Sequence, residues 1–284
     1  MKSCLTINRF LFFSTFWFLL NPATEVVGQQ APIAKTKPFV LGVIDSIRSK
    51  ALGETRTLNI YLPDGYSADS NSKYPTIYLL DGSADEDFIH IAGLVQFANF
   101  PWVNLLPKSV VVGIANVDRR RDFTYPTTIE KDKKEYPTSG HSEKFIAFIE
   151  EELQPYIQRK YSANPSKTIV GQSLGGLLAT EVLFKKPNLF THYIIVSPSL
   201  WWDNESLLTY KPVFLQPDFR QKTTVFVAVG KEGNVMETDA RRLVELLKKV
   251  SANTIKTDFH YFADENHATI FHLAVYRAFE RFLK

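Results

Sequence analysis

Residues 167–180 read KTIVGQSLGGLLAT: a short apolar run, then G-x-S-x-G, then a run of helix formers. A strand that passes into a helix about a single serine is the pattern of a nucleophile elbow. The turn is so tight that only small residues fit two positions before and two after the nucleophile, and Gly171 and Gly175 meet that demand. Gly176 lets the new helix lie close to the sheet. Ser173 is then expected on the bend with its hydroxyl exposed, the helix N-terminus pointing at it, and the amide of Leu174 available to an oxyanion. The short pattern also arises by chance; the strand before it and the helix after it carry the inference. The plainer alternative is a glycine-rich turn that only packs.

Residues 1–28 have a different character. Lys2 and Arg9 precede the apolar run of residues 10–20, Asn21 and Pro22 break it, and Val26, Val27 and Gly28 offer small residues before Gln29. A charged start, a short apolar core and a small-residue exit describe a secretory signal peptide. The run is short for a bilayer span, which makes an uncleaved anchor the weaker alternative. Cys4 is the only cysteine and lies ahead of the run. The mature chain would then have no disulfide and be held by its core, as suits a periplasmic or secreted protein. Residues 29–38, polar and proline-bearing, read as an extended lead-in, and residues 39–284 as one domain large enough for a substantial core. Losing Lys2, Arg9 and Glu25 with the signal lowers the net charge of +3 by one. So balanced a chain gives no reason to expect nucleic acid or an anionic membrane as partner.

Residues 39–47 and 57–62 alternate apolar with polar, as half-buried antiparallel strands do, with a turn at Leu52, Gly53 and Glu54. Residues 76–80 and 109–117 are nearly continuous apolar runs, the look of strands covered on both faces. A helical period follows at 142–159, then the elbow, strands at 193–196 and 224–229, an amphipathic helix at 238–250, a last strand at 258–262 and a last helix at 268–283. The order predicts an α/β fold with a mainly parallel, doubly wound sheet and antiparallel N-terminal strands. In such sheets the site lies beyond the carboxyl ends of the strands.

That rule narrows the search for the partners of Ser173. Hydrolases built on such an elbow run nucleophile, acid, histidine along the chain. Of the six histidines, His90, His141 and His192 come too early, while His260 and His272 fall inside the last strand and the last helix. His267 alone lies on the loop between them and is the candidate base. The acid should follow the strand at 224–229. Glu232 stands at the right height, Glu237 is a second choice that reads equally well as a first-turn helix acid, and a bare Ser–His dyad stays open. The second oxyanion donor should come from the loop after 76–80, where Gly82 allows close backbone approach; the amide of Gly82 or Ser83 is the candidate.

With these pieces in place the chain resembles the esterase family of α/β-hydrolases, and within it the branch of periplasmic enterobactin and salmochelin (siderophore) esterases. The resemblance covers nearly all of residues 39–284. It rests on YLLDG at 78–82, VGIAN at 112–116 with Arg119 to Asp122, the elbow at 171–176, SPSLWWD at 197–203, and His267. It implies a hydrolase of carboxylic esters, siderophore lactones among them, with Ser173 as nucleophile and His267 as base. Gln172 stands where a histidine is common, a change expected to alter the pocket lining rather than the chemistry. No aspartate stands at the usual acid position, which leaves Glu232 and the dyad both open.

The loop at 118–124 leaves the carboxyl end of its strand, so Arg119 and Arg121 are candidates for binding an anionic acyl group; a structural Arg121–Asp122 pair is the alternative. Trp201 and Trp202 leave the next strand on the same side and are candidates for an aromatic wall. No metal cluster, P-loop or dinucleotide fingerprint is evident, so neither metal nor cofactor is expected. The expected partner is a small-molecule ester. A serine peptidase or acyltransferase shares the same acyl-enzyme, and a catalytically silent binding protein shares the same fold.

Overall fold

The computed structural model describes residues 36–68, 72–250 and 254–282; the signal-like segment lies outside them. Val40–Lys284 forms one compact unit. Its eight strands are β1 Val43–Arg48, β2 Thr55–Tyr61, β3 Tyr74–Leu79, β4 Val110–Ile114, β5 Ala163–Gln172, β6 His192–Val196, β7 Thr223–Gly230 and β8 Ile255–Phe262. They make one sheet in the order β1-β2-β4-β3-β5-β6-β7-β8. β1 and β2 pair antiparallel, β2 pairs antiparallel with β4, and every pair from β4 to β8 is parallel.

Two buried clusters explain why the middle strands read as continuous apolar runs. Successive strand residues point to opposite faces, so Tyr78 and Val112 pack in one cluster while Ile77, Leu79 and Val111 pack in the other. The helices are α1 Phe88–Ala98, α2 Arg119–Phe123, α3 Glu130–Glu135, α4 Ser142–Ala147, α5 Gln154–Lys160, α6 Leu174–Lys185, α7 Trp202–Thr209, α8 Asn234–Lys248 and α9 Phe271–Phe282. α1 and α9 pack on the second face, and α4, α5, α6 and α8 on the first. α9 buries Phe271, Ala274, Val275, Ala278 and Phe279 at helical spacing. Each large side chain there contributes roughly 1.5–3 kcal/mol.

The structure departs from the sequence expectations in local ways. β1 begins at Val43 rather than 39, and Phe39 is 90% exposed. The single helix expected over 142–159 is split by a π turn, Phe148–Leu153. Pro155, in the first turn of α5, explains it: proline has no amide to donate and its ring crowds the carbonyl four residues back, so the helix widens there. α1 went unforeseen although Phe88, Ile91, Ala92, Val95 and Ala98 keep a helical stripe.

Where the chain leaves β3 it passes very close to β4. A Cβ on Gly113 would lie 2.5 Å from the Gly82 carbonyl oxygen and 2.6 Å from Phe88 Cδ2. Gly113→Ala is therefore expected to destabilise the fold by about 1–3 kcal/mol, seen as a fall of several degrees in a thermal melt; an unchanged Tm would mean the crossing tolerates a methyl group.

Candidate active site

β5 ends at Gln172 and α6 begins at Leu174, which leaves Ser173 alone on the bend at φ 59°, ψ −119°. That region is uncommon for a residue with a side chain and costs on the order of 1–3 kcal/mol. Three backbone hydrogen bonds hold it. Ser173 N–H donates to Val196 O at 3.1 Å, and Ser173 O accepts from Leu177 N at 2.9 Å and Ser199 N at 3.0 Å. A Cβ on Gly171 would sit 2.4 Å from Gly175 O, so the turn closes only with glycine there. Ser173 Oγ lies 3.2 Å from Ser199 Oγ. Leu174 opens α6, and its amide belongs to the first turn that has no intrahelical acceptor.

β7 and β8 deliver the other two groups. His267 Nδ1 lies 2.6 Å from Glu232 Oε2, while Glu232 Oε1 accepts from Ser197 Oγ at 2.5 Å and from Gly230 N at 2.9 Å. The Glu232 side chain is only 3% exposed. Burial pushes its pKa up, but hydrogen bonds from His267, Ser197 and Gly230 outweigh that and hold the carboxyl below its ordinary value. With Nδ1 on the carboxylate, Nε2 is the nitrogen left for proton transfer. Ser173 and His267 line one cavity of about 630 Å³ together with Ser199, Trp201, Lys231 and Met236. No hydrogen bond joins Ser173 to His267 directly among the described residues, and such pairs commonly tighten only when substrate is bound.

Several residues singled out in the sequence do other work. Glu237 Oε1 accepts from the amides of Glu232 and Gly233, both at 3.2 Å, so it shapes the turn that presents Glu232. The Gly82 amide is committed to Ile114 O at 3.1 Å, and the Ser83 amide faces Glu86 Oε2 at 3.3 Å. Neither Gly82 nor Ser83 lines the cavities at Ser173. Arg121 binds Glu54 through both terminal nitrogens, at 3.1 and 2.6 Å, and Asp122 through Nε at 2.8 Å, so the structural alternative describes it. Arg119 grips Asp81 at 2.6 and 3.0 Å and donates to Gln172 O at 3.2 Å. Trp202 is 1% exposed, and its indole N–H donates to Tyr125 O at 2.9 Å. It is core, and of the two tryptophans only Trp201 lines the cavity at Ser173.

Ser197, Ser199 and Lys231, for which the sequence suggested no role, also stand beside Glu232 and Ser173. The first two stand in the SPSLWWD stretch at the carboxyl end of β6, a position that could have marked them.

A family model described as "Putative esterase" matches residues 49–278. The chain belongs to the esterase family. Among curated relatives, the ferri-bacillibactin esterase BesA of Bacillus subtilis (strain 168) is 34% identical over 244 residues, covering 79% of this chain and 84% of BesA. The siderophore triacetylfusarinine C esterase of Aspergillus fumigatus is 34% identical over 151 residues, half of each chain. The solved structure of an IroE-like serine hydrolase from Shewanella oneidensis superposes with a TM-score of 0.74 at 30% identity, over 85% of this chain and 80% of that one. Family membership makes this protein an esterase.

Because Nε and Nη2 of Arg119 are committed to Asp81 and Gln172, Arg119→Ala is expected to lower kcat on neutral and anionic esters alike, by about tenfold or more, since misplacing a catalytic group by about 1 Å can cost a hundredfold. Steady-state kinetics on both substrate types checks this; a loss confined to KM for the anionic ester would return Arg119 to substrate binding.

Proposed function

We propose that this esterase works through an acyl-enzyme on Ser173, with His267 as general base and Glu232 orienting it, on esters whose acyl part is aromatic and anionic, such as a catecholate siderophore. Ser173 Oγ attacks the ester carbonyl as His267 Nε2 takes its proton. The carbonyl oxygen becomes an oxyanion facing the Leu174 amide. The carbon–oxygen bond to the alcohol then breaks, and His267 returns the proton to the departing alkoxide. Water repeats the sequence on the acyl-enzyme, releasing the acid and restoring Ser173. The observation that carries this reading is the hydrogen-bonded line from Ser197 and Gly230 through Glu232 to His267, ending in the cavity of a serine held in the elbow conformation.

The substrate class is supported by the charges around Ser173. One cavity offers Trp201, Met236 and Lys231; none of the ion pairs among the described residues includes Lys231. The smaller neighbouring cavity, about 310 Å³, is lined by Asp81, Glu86 and Asp87 with Arg119. Burial, with the Asp81 carboxylate nearby, pushes Asp87 up to about 6, yet the lobe stays net negative at neutral pH. An anionic aromatic group is repelled from the acidic lobe and fits against Trp201 beside Lys231. The relatives named for siderophore hydrolysis support a siderophore as the substrate.

Ser173→Ala and His267→Ala are each expected to reduce hydrolysis of p-nitrophenyl esters by on the order of a million-fold, and Glu232→Gln by about a hundredfold or more. Ser173→Ala should also abolish labelling by a fluorophosphonate. Activity within tenfold of wild type in either of the first two variants would discard the assignment.

Lys231→Glu should raise KM for a ferric tris-catecholate ester by about tenfold, the scale of one charge-assisted hydrogen bond, and leave p-nitrophenyl butyrate unaffected. Equal effects on both substrates would remove Lys231 from substrate recognition.

A further inference from the structure

We propose that Gln172, the residue ahead of the nucleophile, is a positioning residue for the base: its side-chain amide ties the main chain of His267 to the elbow and so fixes where the imidazole stands relative to Ser173. The inference rests on the Ser173–His267 assignment above and extends it to a residue that neither attacks nor accepts a proton.

Gln172 Nε2 donates to His267 O at 2.5 Å, across 95 residues of sequence. A carbonyl oxygen can only accept, so the NH₂ end of the amide must face it and the orientation of the side chain is fixed by chemistry. His267 needs such a tie. It stands on the loop between β8 and α9 with its side chain 47% exposed. The loop's own backbone bonds are short-range turns, Thr269 N to Asn266 O and Ile270 N to Asn266 O, with one link to the neighbouring loop, Lys231 N to Glu265 O at 2.7 Å.

The Glu232 bond grips the imidazole at Nδ1. One bond to a ring sets its tautomer and plane but lets the ring pivot about the contact. A second bond at the main-chain carbonyl of the same residue removes that freedom. The two anchors come from different strands, Gln172 from the end of β5 and Glu232 from just past β7, so together they hold His267 against two strand ends.

Gln172 is itself held. Its main-chain carbonyl accepts from Arg119 Nη2 at 3.2 Å, and Arg119 in turn forks onto Asp81. Asp81, at the end of β3, has φ 53°. The line Asp81–Arg119–Gln172–His267 therefore runs from one strand end, through the residue beside the nucleophile, to the base. It is a brace on which the separation of Ser173 and His267 depends, and it gives the arginine of residues 118–124 its place. Gln172 thus does more than line the pocket.

The test is steady-state kinetics on a neutral p-nitrophenyl ester. Gln172→Met keeps the length and removes the donor; Gln172→Ala removes both. Each is expected to lower kcat about ten- to a hundredfold with KM within about twofold of wild type. Gln172→His, whose ring N–H can reach the same carbonyl, should recover most of the lost kcat, and thermal melts should show all three folded. Wild-type kcat in Gln172→Met, or a raised KM with kcat unchanged, would overturn the proposal and make Gln172 a lining residue. Failure of Gln172→His to recover activity would also count against the donor role. Loss of activity in Ser173→Ala alongside full activity in the Gln172 variants would sink the brace and leave the esterase mechanism standing; an active Ser173→Ala would sink the mechanism itself.

Discussion

A serine at φ 59°, ψ −119° does not hold itself there. The conformation persists because the neighbouring strand end takes both of its backbone groups, Ser173 N–H going to Val196 O and Ser199 N–H coming to Ser173 O. The loop that supplies those groups is strained in turn. Ser197 has φ 43°, and Asp203, Asn204 and Glu205 all sit in the left-handed region. Asp203 is pinned by Thr127 and Thr128, whose hydroxyls and the Thr128 amide converge on its Oδ1. Strain of this kind survives only where surrounding bonds over-determine it. Here they do, and the elbow, the wall of Trp201 and the Ser197 donor to Glu232 all depend on the same stretch of chain.

Electrostatics divides the arginines by the carboxylates they meet. Arg56 and Asp122 are both 0% exposed and pair with each other, and Glu54 joins Arg56 to Arg121. A buried charge without a partner is costly enough that each member needs the others. Arg121, partly exposed, caps this buried pair and secures α2 to the start of β2. Arg119 serves the strand ends around Ser173. Arg121 has all three guanidinium nitrogens on carboxylates, Arg119 has Nε and Nη2 on Asp81 and Gln172, and the cation that faces the larger cavity is Lys231.

The fold was legible because it follows from periodicity and order: alternation in β1 and β2, continuous apolar strands in the parallel part, and an elbow whose glycines admit one geometry. That Ser173, His267 and Glu232 would meet was legible for the same reason, since each stands on a loop at the carboxyl edge and chain order selects among few candidates. Side-chain partnership was not legible. Nothing in the RRRD run of residues 119–122 says that Asp81 and Glu54, 38 and 67 residues away from the arginines they bind, will occupy two of its three guanidinium groups. The same holds for Trp202, which differs from Trp201 only in which way the chain turns. Gln172 illustrates the limit best. Its neighbour in sequence is the nucleophile, but its partner is the carbonyl of a residue that only the closing of the sheet brings near.

Glu232 shows what the assembled geometry adds to the chemistry. Its two oxygens are divided: Oε1 takes Ser197 Oγ and Gly230 N, and Oε2 faces His267. The donors on Oε1 favour the ionised form and keep the carboxyl below its ordinary pKa despite burial. In the mechanism proposed above, a carboxylate so held would have little affinity for a proton taken up by His267. It would stabilise an imidazolium by charge and by the hydrogen bond to Nδ1, leaving the proton on the imidazole for the departing alkoxide. The longer glutamate side chain fits this arrangement because it turns back from residue 232 to the Gly230 amide while still reaching His267. Glu232, His267 and Ser173 thus stand at the ends of β7, β8 and β5, with the end of β6 bonded to both Glu232 and Ser173.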